Sequence, residues 1–290
     1  MHALICKLVA GGPVITDGAW GTELQARGLP LGEFPDGWNL SHDQRVVEVA
    51  AAYVEAGSQI ILTNTFGANR VRLGECGLAD NTGEINRAGV EISRRAANAR
   101  ALVFASIGPS GKLLVNGDIT ADELRLAFQE QARALAGAGA DGLVIETMTD
   151  LEEAKLAVAA ARETGLPVVV CMVFDSGRNK DRTMMGATIE QAAEELTAAG
   201  ADVIGANCGQ GIAGFAVICQ RLRAATDRPI WLKPNAGLPQ LTDGKVRYNV
   251  SPGEFAACAI SLVQVGAHFI GGCCGTNPDF VRALDQHLKP

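Results

Sequence analysis

The stretch Ile270-Gly271-Gly272-Cys273-Cys274-Gly275-Thr276 ends the last of eight short apolar runs in the sequence, each followed by a helical segment. The runs are almost continuously apolar, which is typical of parallel strands covered on both faces. Strict alternation of strands and helices predicts βαβ units. Eight such units in 290 residues predict an α/β protein with a single (β/α)8 TIM barrel, forming one domain over residues 1–290.

The boundaries of these segments follow from composition and from helix start and stop signals. The predicted strands are Val14–Asp17, Ile60–Thr65, Leu102–Ile107, Gly142–Thr147, Val168–Phe174, Val203–Cys208, Ile230–Asn235 and Phe269–Cys274. The predicted helices lie near residues 44–56, 82–99, 120–138, 151–164, 188–199, 211–225 and 252–265, with a last one after Asn277. Two long connections, Arg27–Asn39 and Phe174–Thr188, follow strand ends, where barrel loops build the active face.

Charge and composition exclude several classes of partner. Lys and Arg number 25 against 32 Asp and Glu, a net charge of −7, and no basic cluster occurs along the chain. We therefore expect neither nucleic acid nor a membrane surface as a partner. The N-terminus is a poor signal peptide, and no apolar run is long enough to cross a bilayer. Eight widely spaced cysteines indicate a reducing compartment, so we expect a cytoplasmic protein.

Three cysteines stand out because they end predicted strands. Cys208 ends strand 6 in Asn207-Cys208-Gly209, and Cys273 and Cys274 end strand 8, so all three fall on one rim with a single strand between them. Neighbouring side chains of a regular strand point to opposite faces, and the flanking glycines allow the backbone to leave that geometry. Three thiolates without an obvious fourth ligand predict a Zn²⁺ site with an open position.

Other interpretations of these cysteines remain open at this point. The site could be a structural zinc site, or the thiols could carry no metal. Cys273 and Cys274 could form a redox-active disulfide, although vicinal disulfides are strained. The glycine-rich rim after strand 8 could instead bind a phosphate, as many barrels do there.

Zinc held by three thiolates carries a net charge of −1 and is a weak Lewis acid. Such a site suits a substrate thiol, which loses its proton on coordination and stays nucleophilic. The chemistry therefore favours alkyl transfer to a thiol. An amino-acid substrate would also need a carboxylate site, which the backbone amides of Asp17-Gly18-Ala19-Trp20-Gly21 can form as a nest. Asp17 and Glu146 can bind its ammonium group.

Several motifs together resemble the homocysteine S-methyltransferase family, essentially from end to end. The matching stretches are Asp17-Gly18, Gly21-Thr22-Glu23-Leu24, Leu62-Thr63-Asn64-Thr65-Phe66-Gly67, Ile145-Glu146-Thr147, Gly205-Ala206-Asn207-Cys208-Gly209, Pro234-Asn235-Ala236-Gly237 and Gly271-Gly272-Cys273-Cys274-Gly275-Thr276. The resemblance implies an S-methyltransferase in which a zinc-bound homocysteine thiolate attacks a methyl group and yields methionine. It places the zinc ligands at Cys208, Cys273 and Cys274. The amino-acid contacts that it implies are Asp17, the Gly18–Trp20 backbone including Ala19, and Glu146.

The matching motifs identify the methyl donor less specifically than the methyl acceptor. We expect Thr65 and Phe66 to form the donor-side wall, and the amide oxygen of Asn235 to take the open metal position without substrate. Betaine-using members carry rings where this chain has Gly67 and Thr147, although Trp38 is present. The Pro234–Gly237 segment is most similar to the homocysteine domain of cobalamin-dependent methionine synthase.

The donor alternatives are therefore a corrinoid on a partner protein, S-methylmethionine, S-adenosylmethionine or betaine. A different class of function is a non-catalytic subunit that binds zinc or a thiol and docks on a corrinoid protein. The sequence leaves the oligomeric state open.

Overall fold

A closed barrel of parallel strands forms the centre of the molecule. The computed structural model describes residues 1–242 and 245–288, so positions 243–244 and 289–290 of the predicted domain lie outside the described residues. The strands are β1 (Val14–Ile15), β2 (Ile60–Ile61), β3 (Leu102–Ile107), β4 (Gly142–Met148), β5 (Val168–Met172), β6 (Val203–Gly211), β7 (Ile230–Asn235), β8 (Gln240–Thr242), β9 (Lys245–Arg247) and β10 (Ala267–Ile270). Eight of them are ordered β1-β10-β7-β6-β5-β4-β3-β2, which confirms the predicted (β/α)8 TIM barrel.

Helices alternate with the barrel strands, as the sequence predicted. Their bounds are α1 (Ala3–Val9), α2 (Gly21–Ala26), α3 (Trp38–Ser41), α4 (Asp43–Glu55), α5 (Arg70–Gly74), α6 (Thr82–Ala97), α7 (Ala121–Gly137), α8 (Leu151–Arg162), α9 (Ile189–Ala199), α10 (Phe215–Ala225), α11 (Pro252–Gln264) and α12 (Pro278–Leu288). The predicted starts at Thr120 and Ser251 are capping boxes, in which side chain and backbone exchange hydrogen bonds over the first turn. Within the described residues, no helix is both long and apolar enough to span a membrane.

Strands β1 and β2 are shorter than the sequence predicted, because polar side chains supply part of their pairing; β10 ends at Ile270, so Cys273 and Cys274 lie in a turn and not in the predicted strand. Gln59 donates its amide N–H to the Ile15 carbonyl at 2.8 Å, and its Oε1 accepts from the Ile15 amide at 2.9 Å. Further along, Asp17 Oδ2 accepts from the Leu62 amide at 2.7 Å. One backbone hydrogen bond and two polar side chains thus close the barrel where a longer backbone ladder would otherwise run.

The barrel interior is apolar at its N-terminal end and polar at its C-terminal end. Helix α1, which the sequence did not predict, seats Ile5 against the inner apolar residues and covers the N-terminal end. Trp231 stacks against Phe104 and Phe269, with ring centroids 6.2 and 5.1 Å away. Two residues further along the same strand faces, polar groups replace the apolar ones, at Ser106, Glu146 and Lys233. The apolar packing therefore stops one layer below the rim, and the polar layer becomes the floor of a cavity.

Candidate metal and substrate site

A cavity of about 590 Å³ opens at the C-terminal rim of the barrel. Its inner side carries Cys208, Cys273 and Cys274, and its floor carries Ser106, Glu146 and Lys233. Its outer side is built by the loops after β1 and β2, through Phe34, Asp36, Phe66, Gly67 and Arg72. A second cavity of the same volume lies between the loops after β6 and β7, away from these sulfur atoms. The chemistry expected from the sequence therefore concentrates in the first cavity.

The structure brings the three predicted ligand cysteines together. The Sγ atoms of Cys208, Cys273 and Cys274 all lie within 4.8 Å of one another, and each side chain is half-buried. The Cys208 and Cys274 sulfurs are 3.9 Å apart. This trio, called the cysteine cluster below, is the only group of three or more His, Cys, Asp or Glu side chains in the described part of the chain with metal-ligand spacing. Its role as a metal site stays a prediction.

The backbone departs from strand geometry to make this convergence. Cys208 has a φ of +61°, a left-handed conformation that is rare for residues other than glycine. A Cβ at Gly271 would overlap Thr16, and one at Gly272 would overlap Thr276. The Cys273 amide donates to the Pro234 carbonyl at 2.8 Å, so the cysteine loop is fastened to β7. Close packing and strain at these positions fix the direction of the sulfur atoms.

Hydrogen bonds between the thiols divide their acidity unequally. Donation from Cys273 and Cys274 lowers the pKa of Cys208 to about 3, and a contact from the Asn235 side chain adds to this. The hydrogen bond from Cys274 to Cys208 raises the pKa of Cys274 to about 11, and the separate bond from Cys273 to Cys208 raises the pKa of Cys273 well above its usual value. The cluster therefore favours one thiolate, at Cys208, with two thiols donating to it.

Asn235 and Asn207 are the amides nearest this cluster. Asn235 is buried, and its Oδ1 has no hydrogen-bond partner among the residues that the structure describes. Asn207 donates through Nδ2 to Thr147 Oγ1 at 2.7 Å and accepts from the Thr147 amide at 2.7 Å. Thr147 has a φ of +62°, so Asn207 stabilises a strained turn at the end of β4. The sequence analysis gave Asn207 no role of its own.

Glu146 lies in the cavity floor, as the sequence predicted for a substrate contact. Its side chain is 9% exposed, and Ser106 Oγ donates to its Oε1 at 2.5 Å. Burial raises the pKa of Glu146, while the neighbouring Lys233 and Ser106 partly offset that rise. The carboxylate thus combines low exposure with access to the cavity.

Asp17 lies behind the cavity rather than in its lining. Its Oδ1 accepts from Lys233 Nζ at 2.5 Å, and its Oδ2 accepts from Trp20 Nε1 and the Leu62 amide, each at 2.7 Å. The sequence predicted a direct contact between Asp17 and a substrate ammonium. Lys233 already occupies this carboxylate and would compete with the substrate for it. Lys233 was not among the predicted site residues, although a single lysine inside the apolar run Ile230–Asn235 is a usable signal.

The predicted amide turn borders the cavity through Gly18, Ala19 and Trp20. The Ala19 amide already donates to Thr276 Oγ1 at 3.1 Å, and the Ala19 carbonyl accepts from the Tyr53 hydroxyl at 2.6 Å. Thr276 Oγ1 also donates to the Cys273 carbonyl at 2.8 Å. Thr276, which the sequence analysis did not single out, therefore fixes the amide turn against the cysteine loop.

The predicted donor-side wall is only partly where the sequence placed it. Phe66 is 41% exposed and lines the cavity, whereas Thr65 is buried behind it and bonds the Ser106 carbonyl at 2.7 Å. Trp38 also lies outside the lining, because its Nε1 donates to Glu33 at 2.7 Å and its ring stacks on His42.

Two residues from the loop after β1 complete this wall. The Phe34 ring fills the space beside Gly67, where a Cβ would lie 2.8 Å from it. Asp36 is buried and accepts from the Gly67 amide at 2.9 Å, and burial raises its pKa to about 7. Neither residue carried a recognisable signal in the sequence.

Comparison with known proteins assigns this geometry to a family. The family model for homocysteine S-methyltransferase matches residues 14–288. The chain is 33% identical to methionine synthase of Mycobacterium leprae (strain TN) and 32% identical to that of Mycobacterium tuberculosis (strain ATCC 25618 / H37Rv). Each match covers 93% of this chain and 24% of the relative, so the chain spans about a quarter of the length of these relatives.

Solved structures support the same fold. The metallated form of the homocysteine methyltransferase MmuM from Escherichia coli superposes with a TM-score of 0.82 at 23% identity, covering 98% of this chain and 99% of that one. At that identity the likeness establishes the barrel rather than the chemistry. The family model, which spans nearly the whole sequence, establishes the relationship: the chain belongs to the homocysteine S-methyltransferase family.

Proposed function

We propose that this chain is a single-domain, zinc-dependent homocysteine S-methyltransferase that forms methionine. The observation that carries the proposal is the convergence of Cys208, Cys273 and Cys274 on one rim of the cavity, with their sulfur atoms within 4.8 Å of one another. Membership of the family supplies the methyl acceptor, homocysteine. The buried Glu146 carboxylate below the sulfur atoms suits the ammonium group of an amino-acid thiol.

The residues of the site fit a zinc ion. Three sulfur donors are the set expected of a site that keeps one position for substrate. The unpartnered Oδ1 of Asn235 adds an oxygen, because exchanging the two ends of this amide would turn Oδ1 toward Cys208. Zinc, when bound, would replace the protons shared between the thiols, promote loss of the substrate thiol proton and keep that sulfur nucleophilic.

The protein groups then have to hold the amino-acid end of homocysteine while its sulfur reacts. We assign the ammonium to Glu146, and the amides of Gly18 and Trp20 to the carboxylate side, with Asp17 acting from behind. In the reaction the substrate thiol loses its proton, its sulfur forms a bond to the methyl carbon, and the bond from that carbon to the donor breaks. Burial of the cavity floor excludes water and strengthens these electrostatic contacts.

The outer wall of the cavity supports a cationic methyl donor. Trp20, Phe34 and Phe66 line it, and aromatic faces attract cations. Glu33 and Asp36 add two acidic side chains to the same wall, against one cation, Arg72, which lies over the Phe34 ring. A sulfonium donor such as S-methylmethionine or S-adenosylmethionine therefore fits these residues. Betaine is less well supported, because Trp38, the ring that the chain shares with betaine-using members, does not line the cavity.

A corrinoid protein as donor, with this chain as enzyme or as non-catalytic docking subunit, is the second candidate. Its support is an exposed apolar rim around the mouth of the barrel, drawn from several of the loops that follow strands. The residues of this rim are Leu31, Phe66, Val115, Met184, Met185 and Leu238. The relatives that match this chain are also about four times as long, so they carry further segments.

A donor screen tests these alternatives. Zinc-loaded protein is incubated with homocysteine and, separately, S-methylmethionine, S-adenosylmethionine, betaine or methylcobalamin, and methionine is quantified. We expect turnover with a sulfonium donor. Turnover with methylcobalamin alone would favour the corrinoid candidate. Tight zinc binding without methionine from any donor would contradict the enzyme and leave the docking subunit.

A further inference from the structure

The cavity floor contains a buried cation whose hydrogen-bonding capacity is only partly used. Lys233 is 2% exposed and lines the cavity beside Glu146, Cys208 and Cys273. Its Nζ donates to Asp17 Oδ1 and to no other atom in residues 1–242 and 245–288. An ammonium group has three N–H donors, so two remain for a ligand. Buried donors that stay unpaired are costly, which makes this position a candidate contact for an acceptor.

Charge indicates which acceptor suits this position. Asp17 is fully buried, lies outside the cavity lining and already accepts three hydrogen bonds. The charges that the floor presents to the cavity are therefore one carboxylate, Glu146, and one ammonium, Lys233. An α-amino acid head group has the complementary pair, an ammonium and a carboxylate on the same carbon.

We propose that Lys233 binds the α-carboxylate of the substrate thiol and so makes the site specific for an amino-acid thiol. Glu146 takes the ammonium, and Asp17 acts as a positioning residue that holds Lys233 in place. The inference rests on the proposed function for its substrate class. It goes beyond that function by assigning carboxylate recognition to a side-chain cation rather than to the backbone turn at Gly18–Trp20 alone.

Lys233 and Asp17 form an ion pair in which both side chains are almost fully buried. Asp17 and Lys233 together are neutral, so substituting both residues avoids leaving one buried charge without its partner.

The test compares ligands that differ by one charged group. Homocysteine is titrated into zinc-loaded protein in a calorimeter, alongside 3-aminopropanethiol, which lacks only the carboxylate. We expect the natural chain to bind homocysteine about 10- to 100-fold more tightly than 3-aminopropanethiol, as for a hydrogen bond between charged groups. In the charge-matched double variant Lys233→Met with Asp17→Asn, the preference for homocysteine over 3-aminopropanethiol should fall about 10-fold, and the part that remains comes from the amides of Gly18 and Trp20. The affinity for 3-aminopropanethiol should differ by less than about 3-fold between the natural chain and the double variant.

The outcomes separate this inference from the function on which it rests. If the double variant retains zinc and prefers homocysteine by the same factor as the natural chain, Lys233 is not the carboxylate contact. If the natural chain binds neither thiol, the proposed function fails and the inference with it. If the Met variant does not fold, Lys233→Gln with Asp17→Asn provides the same comparison with a neutral amide of similar length.

Discussion

The two sides of the cavity are built from different parts of the barrel. The inner side comes from the end of β6, which carries Cys208, and from the turn after β10, which carries Cys273 and Cys274; left-handed backbone at Cys208, close packing at Gly271 and Gly272 and a hydrogen bond to β7 hold them. The outer side comes from the loops after β1 and β2, where Phe34 and Phe66 border an open mouth. Strand ends and turns fastened to them hold reacting atoms to about half an ångström, whereas longer loops adjust which molecule approaches them. The inner side therefore suits chemistry and the outer side suits choice of donor.

Removing one sulfur atom should have the largest effect on activity, and this effect should arise on the inner side alone. For Cys208→Ala we expect loss of bound zinc and a fall in activity of more than about 1,000-fold, because two sulfur ligands cannot hold the open site. Elemental analysis and methionine formation measure both. Cys258→Ala, at an exposed cysteine, is the control and should change neither. Full activity in metal-free Cys208→Ala would contradict the inner-side assignment.

Asp36 provides the corresponding test of the outer side through stability. Burial raises its folded-state pKa to about 7 from the usual 3.8, so folding favours the protonated form. Its stabilising contribution is complete below about pH 4 and is lost as the pH rises through 7. Asparagine does not titrate, so Asp36→Asn does not lose this stability. Its free energy of unfolding relative to that of the natural chain should therefore increase by up to about 4 kcal/mol between pH 4 and pH 8.

Urea unfolding at several pH values measures this difference, and Asp43→Asn, at an exposed aspartate, is the matched control. Other titrating groups cancel when the variant is compared with the natural chain at each pH. A difference in the free energy of unfolding that does not change with pH would show that Asp36 is ionised throughout.

A smaller effect is expected at the floor, where the two sides meet. Glu146→Gln should raise the KM for homocysteine about 10- to 100-fold, because a charged partner of the ammonium is lost. Zinc content and the KM for the donor should not change. Glu152→Gln, on the exposed face of α8, is the control. An equal rise in the KM for both substrates would mean that Glu146 supports the whole cavity instead.

The smallest effect is expected on the KM for the donor, where substitutions of Phe66 and of Trp38 should give different results. Phe66→Ala is expected to raise the KM for a cationic donor about 3- to 10-fold, the loss of one cation–π contact. Trp38→Phe should leave that KM within about 2-fold, since the ring lies outside the cavity and loses only a hydrogen bond to Glu33. If Trp38→Phe raised the KM for the donor more than Phe66→Ala did, Trp38 would be a donor contact.

This difference between the two sides also explains what could be predicted from sequence. The barrel and the cysteine cluster follow from local signals: apolar runs, helix caps, and cysteines beside glycines at strand ends. Lys233 was predictable in principle, because a lysine inside an apolar strand needs a buried partner. Its partner Asp17 is 216 residues away, so their pairing emerges only from the closed barrel.

Phe34 and Asp36 are harder still to predict. They lie in a loop whose path depends on contacts with Gly67 and Arg72 rather than on residue type. The predicted wall residue Thr65 and the loop residue Trp38 failed to reach the cavity for the same reason. Alternation along a strand places side chains on known faces, but no comparable rule places them in an irregular loop.

The side-chain closure between β1 and β2 has a consequence for motion. Every other pair of neighbouring barrel strands shares a backbone ladder, whereas this boundary has one backbone bond, from Gln59 to Ile15, and otherwise depends on the side chains of Gln59 and Asp17. Local opening should begin there, and amide hydrogen exchange at Ile15 and Leu62 should be faster than at the centre of β4. Because Trp20 follows β1 and Phe66 follows β2, we expect such local opening to affect the donor side of the cavity first.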